Sequence, residues 1–186
     1  GVSSFGVDWF LEEVLTQLDP QMPVLSVTKG LRATEDGTLL SYPGYWESEL
    51  AKRGINRTIC AIGGPCTSYE LVFMDQTEVG FCGKDSDALR MMKEAMARPY
   101  YHVSLTNDVI GLESAVALKN AYAMAVTLAV GLNYRLHGEN EKDHYNSQAG
   151  IFSQAVRETH ALMQLQGGTF ESECIGLGDL YVTIYG

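Results

Sequence analysis

Apolar residues recur at helical spacing over residues 7–18, where Val7, Phe10, Leu11, Val14, Leu15 and Leu18 share one side of a 3.6-residue period. Pro20 and Pro23 end that pattern, because proline supplies no backbone amide to a helix. The run PVLSVTKG (23–30) reads as a short strand closed by glycine. Helical spacing returns over YWESELAKRG (45–54) and leads into TICAIGGP (58–65), a strand that stops at two glycines and a proline. ELVFMDQ (70–76) and EVGFCGK (78–84) have the length of strands, and a helix is predicted over DSDALRMMKEAMA (85–97), ended by Pro99. YHVSLTND (101–108) is the last strand candidate.

Alternation of strands and helices predicts an α/β unit with a mixed sheet up to about Asp108. From Val109 onward the patterns are long and helical with almost no β signal. A boundary is therefore expected near residue 107, giving an α/β domain over 1–106 followed by an all-α domain over 107–186. The triplet TND offers an N-cap for the first helix of the second part.

Within that helical part, ALKNAYAMAVTLAVGLN (117–133) sets Lys119 and Asn120 side by side in an otherwise apolar segment. On a helix their neighbours are alanines, Val116, Tyr122 and Met124. A helix apolar on all sides is normally buried, so both residues are expected inside the protein or at a domain junction. Burial disfavours an ammonium and lowers its pKa unless an anion holds it. GLGDLYVT (176–183) places Asp179 in what reads as a glycine-flanked turn, and a buried carboxylate needs a cation or donors. Lys119 is the expected partner. Lys29 ends the strand run VTKG, and ligands of α/β sheets bind beyond the carboxyl ends of strands. AIGGPC (61–66) pairs a strand with small residues that let a backbone approach a ligand, although Gly-Gly-Pro is also ordinary turn punctuation.

The charge balance narrows the partners. With 13 basic and 23 acidic residues the chain carries a formal net charge of −10, which opposes nucleic acid or an anionic membrane as the main partner. A small anion remains compatible if a few cations gather in one pocket. Cys60, Cys66, Cys82 and Cys174 show neither a C-x-x-C pair nor zinc spacing and are read as reduced thiols of a cytoplasmic protein. No basic stretch followed by an apolar one opens the chain, and the longest apolar run, 121–132, is shorter than the ~20 residues that span a bilayer. No membrane span is expected. His137, Glu139, Asp143 and His144 lie in a polar, acidic stretch without an i, i+4 histidine pair, which reads as a solvated loop rather than a metal site; no metal is expected.

Taken together, SVTKGL (26–31), IGGPCTSYEL (62–71), NDVIGLESAVALKNAYAMAVTLAVGLN (107–133) and GLGDLYVT (176–183) come in the order and approximate spacing of one family. Across nearly all its length the chain resembles the NAD(P)-dependent glycerol-3-phosphate dehydrogenases. The resemblance implies the C-terminal part of a Rossmann-type nucleotide-binding domain over 1–106 and a helical, 6-phosphogluconate-dehydrogenase-like substrate domain over 107–186. It further implies a piece of the family enzyme, since the chain has no G-x-G-x-x-G after a strand and stops before the family's phosphate-gripping Gly-Arg-Asn. Such a piece is expected to be inactive by itself.

Residue by residue, the resemblance makes Lys119 the catalytic general acid and base and Lys29 a lysine reaching both cofactor and substrate. Asn120, Asp179 and Thr183 match residues that line the substrate and order the catalytic lysine. Gly64 and Cys66 match substrate contacts, and Ser68 matches a small residue near the cofactor. The implied cofactor is NAD or NADP, the implied substrate pair is dihydroxyacetone phosphate and glycerol 3-phosphate, and the implied assembly is a homodimer. Three departures bear on substrate choice. Cys66 stands where the family usually has Ser, Thr or Asn, Gln154 stands where arginine is common, and YRLHGENEKDHY (134–145) is longer than the usual connection. The alternatives are another reductase of the same superfamily, of ketopantoate or 2-hydroxyacid type, and a non-catalytic metabolite-binding relative.

Overall fold

The computed structural model describes residues 1–138, 142 and 144–186. After a 3-10 turn at Ser4–Gly6, helix α1 (Val7–Phe10) continues as a π-helical turn at Leu11–Leu15. The strands are β1 (Val24–Ser26), β2 (Leu31–Ala33), β3 (Leu39–Ser41), β4 (Ile59–Gly63), β5 (Thr77–Cys82) and β6 (Tyr101–Thr106). Between them lie α2 (Tyr42–Lys52), α3 (Ser68–Val72) and α4 (Ser86–Met96). Three helices follow: α5 (Val109–His137), α6 (Tyr145–Leu165) and α7 (Glu173–Tyr185).

The main sheet has the order β1-β4-β5-β6, with β1 parallel to β4, β4 antiparallel to β5, and β5 parallel to β6. The expected mixed sheet followed by helices is what the chain forms. Alternation sorts β4 onto two faces. Cys60 turns to one side and joins Val79, Phe81, Val103 and the α4 residues Leu89 and Met92. Ala61 turns to the other and meets Cys82 with Leu112 and Val116 of α5. Ile59, on the same side, packs with Val7, Leu11, Leu15, Trp46 and Leu50. The sheet is thus a middle layer, with α4 on one face and α1, α2 and α5 on the other.

Three expectations are corrected. ELVFMDQ (70–76) is not a strand: helix α3 runs through Val72, and Met74 leaves it at φ 61°. The Thr67 hydroxyl at the start of that helix donates to the Glu70 carboxylate at 2.6 Å. Asp179 sits inside α7 rather than in a turn. An antiparallel hairpin of β2 and β3, turning at Thr34–Thr38, fills a stretch read without strands.

Helix α5 begins where expected, with Asp108 Oδ1 accepting from the amide of Gly111 at 2.9 Å. It reaches 29 residues and contains an 18-residue stretch of mean hydropathy 1.5, long and apolar enough to cross a bilayer. The run-length reading of the sequence understated this, because Lys119 and Asn120 interrupt the run without interrupting the helix. Its first turns carry the contact with the sheet, its middle is flanked by α6 and α7, and Met124, Leu128, Leu132 and Leu136 form an exposed apolar row spaced by four residues.

Candidate active site

Lys119 lies on the side of α5 that packs against α7, between Ala115 and Ala123 at i−4 and i+4. Small residues on either side let the two helices approach closely. Opposite Ala115 stands Gly176, where an added Cβ would lie 2.5 Å from the alanine methyl, and opposite Ala123 stands Leu180. Asp179, between those two residues of α7, is carried directly to the lysine. Its side chain is 3% exposed, and the Lys119 ammonium donates to Oδ1 at 2.5 Å.

The second oxygen of Asp179 faces the sheet. Lys29, three residues beyond β1, donates from Nζ to Oδ2 at 3.0 Å, and the Gly64 amide beyond β4 points to the same oxygen at 3.4 Å. β1 and β4 are parallel, so Lys29 and Gly64 mark the carboxyl ends of two neighbouring strands, where such sheets bind ligands. Gly64 adopts φ 129°, a conformation that side-chain-bearing residues rarely take, and a Cβ would press on the β5 backbone. The chain can therefore turn its amide inward at that position.

Two ammoniums on one carboxylate leave a net charge of +1 in a largely buried cluster. Burial holds Lys119 below the ordinary lysine range. The bond and charge of Asp179 oppose that shift, while the like charge of Lys29 adds to it. The Lys119 side chain is 15% exposed and that of Lys29 is 29% exposed, so the cluster opens to solvent on the Lys29 side.

The other candidates divide. Cys66 is exposed near the cluster; burial raises its thiol pKa and Lys29 opposes the rise. The sulfur is then a protonated, weak donor at neutral pH. The Thr183 hydroxyl donates to the backbone oxygen of Asp179 at 2.6 Å, steadying the helical turn that carries the carboxylate. Asn120 is exposed, which corrects the expectation that it is buried with Lys119: one residue along a helix is a turn of about 100°. Ser68 is an exposed residue at the start of α3. Gln154 is exposed and donates to Glu158 on its own helix at 2.9 Å. Glu139 and Asp143 lie outside the described residues, while the rings of His137 and His144 sit 4.9 Å apart.

Sequence reasoning missed Glu113, a fully buried acid six residues before Lys119 whose carboxyl oxygens have no hydrogen-bond partner. The available signal was an acid in the sheet-facing part of an apolar helix.

A family model described as the NAD-dependent glycerol-3-phosphate dehydrogenase C-terminus matches residues 108–186. The NADP(+)-dependent glycerol-3-phosphate dehydrogenase of Archaeoglobus fulgidus is 30% identical over 188 residues, covering 100% of this chain and 54% of the relative. The chain is thus similar, over all or nearly all of its length, to NAD(P)-dependent glycerol-3-phosphate dehydrogenases. The glycerol-3-phosphate dehydrogenase [NAD(P)+] of Acidobacterium capsulatum is likewise 30% identical, over 91% of this chain and 47% of its own length. The chain thus spans about half the length of the curated glycerol-3-phosphate dehydrogenases it matches. The fold agrees with the solved glycerol-3-phosphate dehydrogenase of Coxiella burnetii, with a TM-score of 0.82 and 21% identity over 100% of this chain and 52% of that one. The enzyme of Saccharomyces cerevisiae gives a TM-score of 0.80 at 21% identity, over 100% of this chain and 52% of that one.

Proposed function

We propose that this chain carries the catalytic lysine and part of the cofactor-facing sheet of an NAD(P)-dependent glycerol-3-phosphate dehydrogenase, interconverting dihydroxyacetone phosphate and sn-glycerol 3-phosphate. In this reading residues 1–106 belong to the Rossmann-type cofactor domain and residues 107–186 to the helical substrate domain. The observation that carries it is the Lys119 ammonium held on buried Asp179, with Lys29 on the other oxygen of the same carboxylate.

The residues fit such a cofactor and substrate. Lys29 sits at the carboxyl end of an outer strand of the sheet, partly exposed, and Ser68 is open on the neighbouring segment. Nicotinamide, when bound, supplies the hydride. As the substrate C2 carbonyl is reduced its oxygen gains negative charge, and a nearby ammonium stabilises that charge and donates the proton. Lys119 performs both tasks, a contribution of about 10²–10⁴ in rate for a positioned general acid. In the reverse direction the Lys119 amine takes the hydroxyl proton. Asp179 keeps the lysine charged and oriented until the substrate oxygen competes for it, and Thr183 fixes the turn bearing Asp179. Lys29 supplies the second positive charge that holds an anionic substrate. Gly64 and Cys66 lie beside the same cluster, and in this reading Asn120, next to Lys119 on α5, is assigned to the substrate side.

The partner proposed is a small phosphorylated molecule rather than nucleic acid, in keeping with the net charge of −10. We read α5 as a packed helix of a cytoplasmic protein, because its first turns are engaged by the sheet and its middle by α6 and α7. A homodimer belongs to the same proposal, supported by the uncovered row Met124, Leu128, Leu132 and Leu136, since exposed apolar surface of this kind marks contact sites.

The test is Lys119→Ala in the full-length protein, assayed with dihydroxyacetone phosphate and, for comparison, ketopantoate. Turnover falls by at least about 10²-fold, while cofactor affinity by fluorescence titration stays near wild type. Turnover within a few-fold of wild type would show that Lys119 is not the acid.

A further inference from the structure

Two glycines face each other on the inner strands of the sheet. Gly63 of β4 pairs with Gly80 of β5, and neither has a positive φ. Backbone freedom is therefore not what glycine supplies there. A glycine inside a sheet weakens it and marks a place where another group comes close. Residues directly opposite in an antiparallel pair project to the same side, so the two missing side chains leave one hollow.

The hollow is filled from the helices. A Cβ at Gly63 would lie 2.7 Å from Cγ1 of Val116 on α5, and a Cβ at Gly80 would lie 2.7 Å from Cδ1 of Ile175 on α7. The adjoining Gly64 lies under the same α7 side chain, with Ile175 Cγ2 3.1 Å from the position of its Cβ. Ile175 is also the α7 residue that packs on the sheet cluster of Ala61 and Cys82. Each helix thus enters the hollow by a branched side chain and carries a charged group about one turn further on. Lys119 follows Val116 by three residues and Asp179 follows Ile175 by four, spacings that keep each pair on one side of its helix. Gly176 against Ala115 sets how near α7 lies to α5, whereas Ile175 sets how α7 rests on the strands.

We propose that Ile175 is a positioning residue: seated on Gly64 and Gly80, it fixes α7 over the strand ends and so holds the Asp179 carboxylate where Lys119 and Lys29 both reach it. The inference rests on the functional reading of those lysines. Ile175 acts through Asp179 and takes no part in the chemistry. Truncating it leaves room for α7 to settle, and a misplacement of about 1 Å in a catalytic group can cost about 10²-fold in rate.

The test uses Ile175→Ala, Ile175→Val, Gly80→Ala and the combination of the last two, all in the full-length protein. Ile175→Ala is expected to lower kcat with dihydroxyacetone phosphate by about 10- to 10²-fold, with cofactor affinity near wild type. Ile175→Val removes the Cδ1 methyl alone, and in the double variant the methyl added at Gly80 takes the vacated place. The double variant should therefore lie nearer wild type than either single one, the coupling expected of residues in contact. The readout that lost packing alone would not move is the Lys119 ammonium, followed by nitrogen-15 NMR of lysine-labelled protein, with Asp179→Asn marking where its resonance lies once the carboxylate is gone. In Ile175→Ala the resonance moves toward that mark. A resonance that stays at the wild-type position overturns the proposal however far turnover falls, and so does a double variant no better than the worse single one. Should Ile175→Ala fail to fold, Ile175→Val and the double variant decide by the same resonance. A wild type that does not turn over dihydroxyacetone phosphate, but whose Lys119 resonance follows residue 175, sinks only the functional reading.

Discussion

Replacing Asp179 by asparagine removes the carboxylate that bonds both Lys29 and Lys119 while keeping the shape of the side chain. Asp179 is 3% exposed and its oxygens receive the two ammoniums at 2.5 and 3.0 Å. Removing one member of a buried ion pair costs about 3–5 kcal/mol, because the remaining charge is left uncompensated. The relatives this chain matches are about twice its length, and in a protein of that size each kcal/mol lowers the melting temperature by about 1–2 °C, so a fall of about 3–10 °C is expected at pH 7. The pH dependence has a definite sign. Lys119 has a folded pKa below its ordinary 10.5, with burial the largest cause and Asp179 opposing it. Between the folded value and 10.5 the unfolded chain binds more protons than the native one, so this group adds stability as pH rises through that window. Without Asp179 the folded value drops further and the window widens downward. The gap between wild type and Asp179→Asn should therefore be largest near neutrality and narrow toward pH 10. Differential scanning calorimetry of the full-length protein across pH 7–10 measures it. A loss under about 3 °C at pH 7, small against the cost of breaking a buried pair, or a gap that widens with pH, would refute the reasoning.

Other outcomes follow from single contacts. Gly176→Val forces a side chain into the contact with Ala115 and should separate α7 from α5, lowering turnover of the full-length enzyme more than its cofactor affinity. Trp46→Ala empties a fully buried site in the α1–α2 core and should cost about 3–5 kcal/mol in denaturant unfolding. Asp108→Ala removes the cap of α5 and the tie of its Oδ2 to Thr169, for about 1–2 kcal/mol. Of this chain's four thiols, Cys66 and Cys174 are exposed while Cys60 and Cys82 are buried; mass spectrometry after brief alkylation should find label on the first pair alone until the protein is unfolded.

Periodicity was enough for most of the sheet and for the long helices, because β4 buries a continuous apolar run, β5 and β6 bury Val79, Phe81, Tyr101 and Val103 at alternate positions, and α5 has a strong cap at Asp108. It failed at ELVFMDQ, where a run of Leu, Val and Phe looks β-like. There the chain takes a helical turn in which the Thr67 hydroxyl donates to the Glu70 carboxylate, and Val72, Phe73 and Met74 end up exposed rather than in a sheet. The hairpin of β2 and β3 was signalled by Asp36-Gly37, with Gly37 at φ 85°, but its strands are only three residues long. The glycines around Asp179 misled in a different way. Gly176 and Gly178 look like turn residues, yet both lie within α7, where the missing side chains leave room for Ala115 and Pro65. The pairing of Lys119 with Asp179 could be anticipated from charge and burial. That Lys29 shares the same carboxylate could not, because residues 150 positions apart carry no common period.

Asp179 belongs to the helices, while Lys29 and Gly64 belong to the sheet, so one carboxylate fastens two layers of the molecule together. A phosphate that draws the lysines toward itself necessarily loosens that fastening. Anion entry and slackening of the joint between sheet and helices are thereby one event, and the looseness of this seam becomes a gauge of whether the cleft is filled.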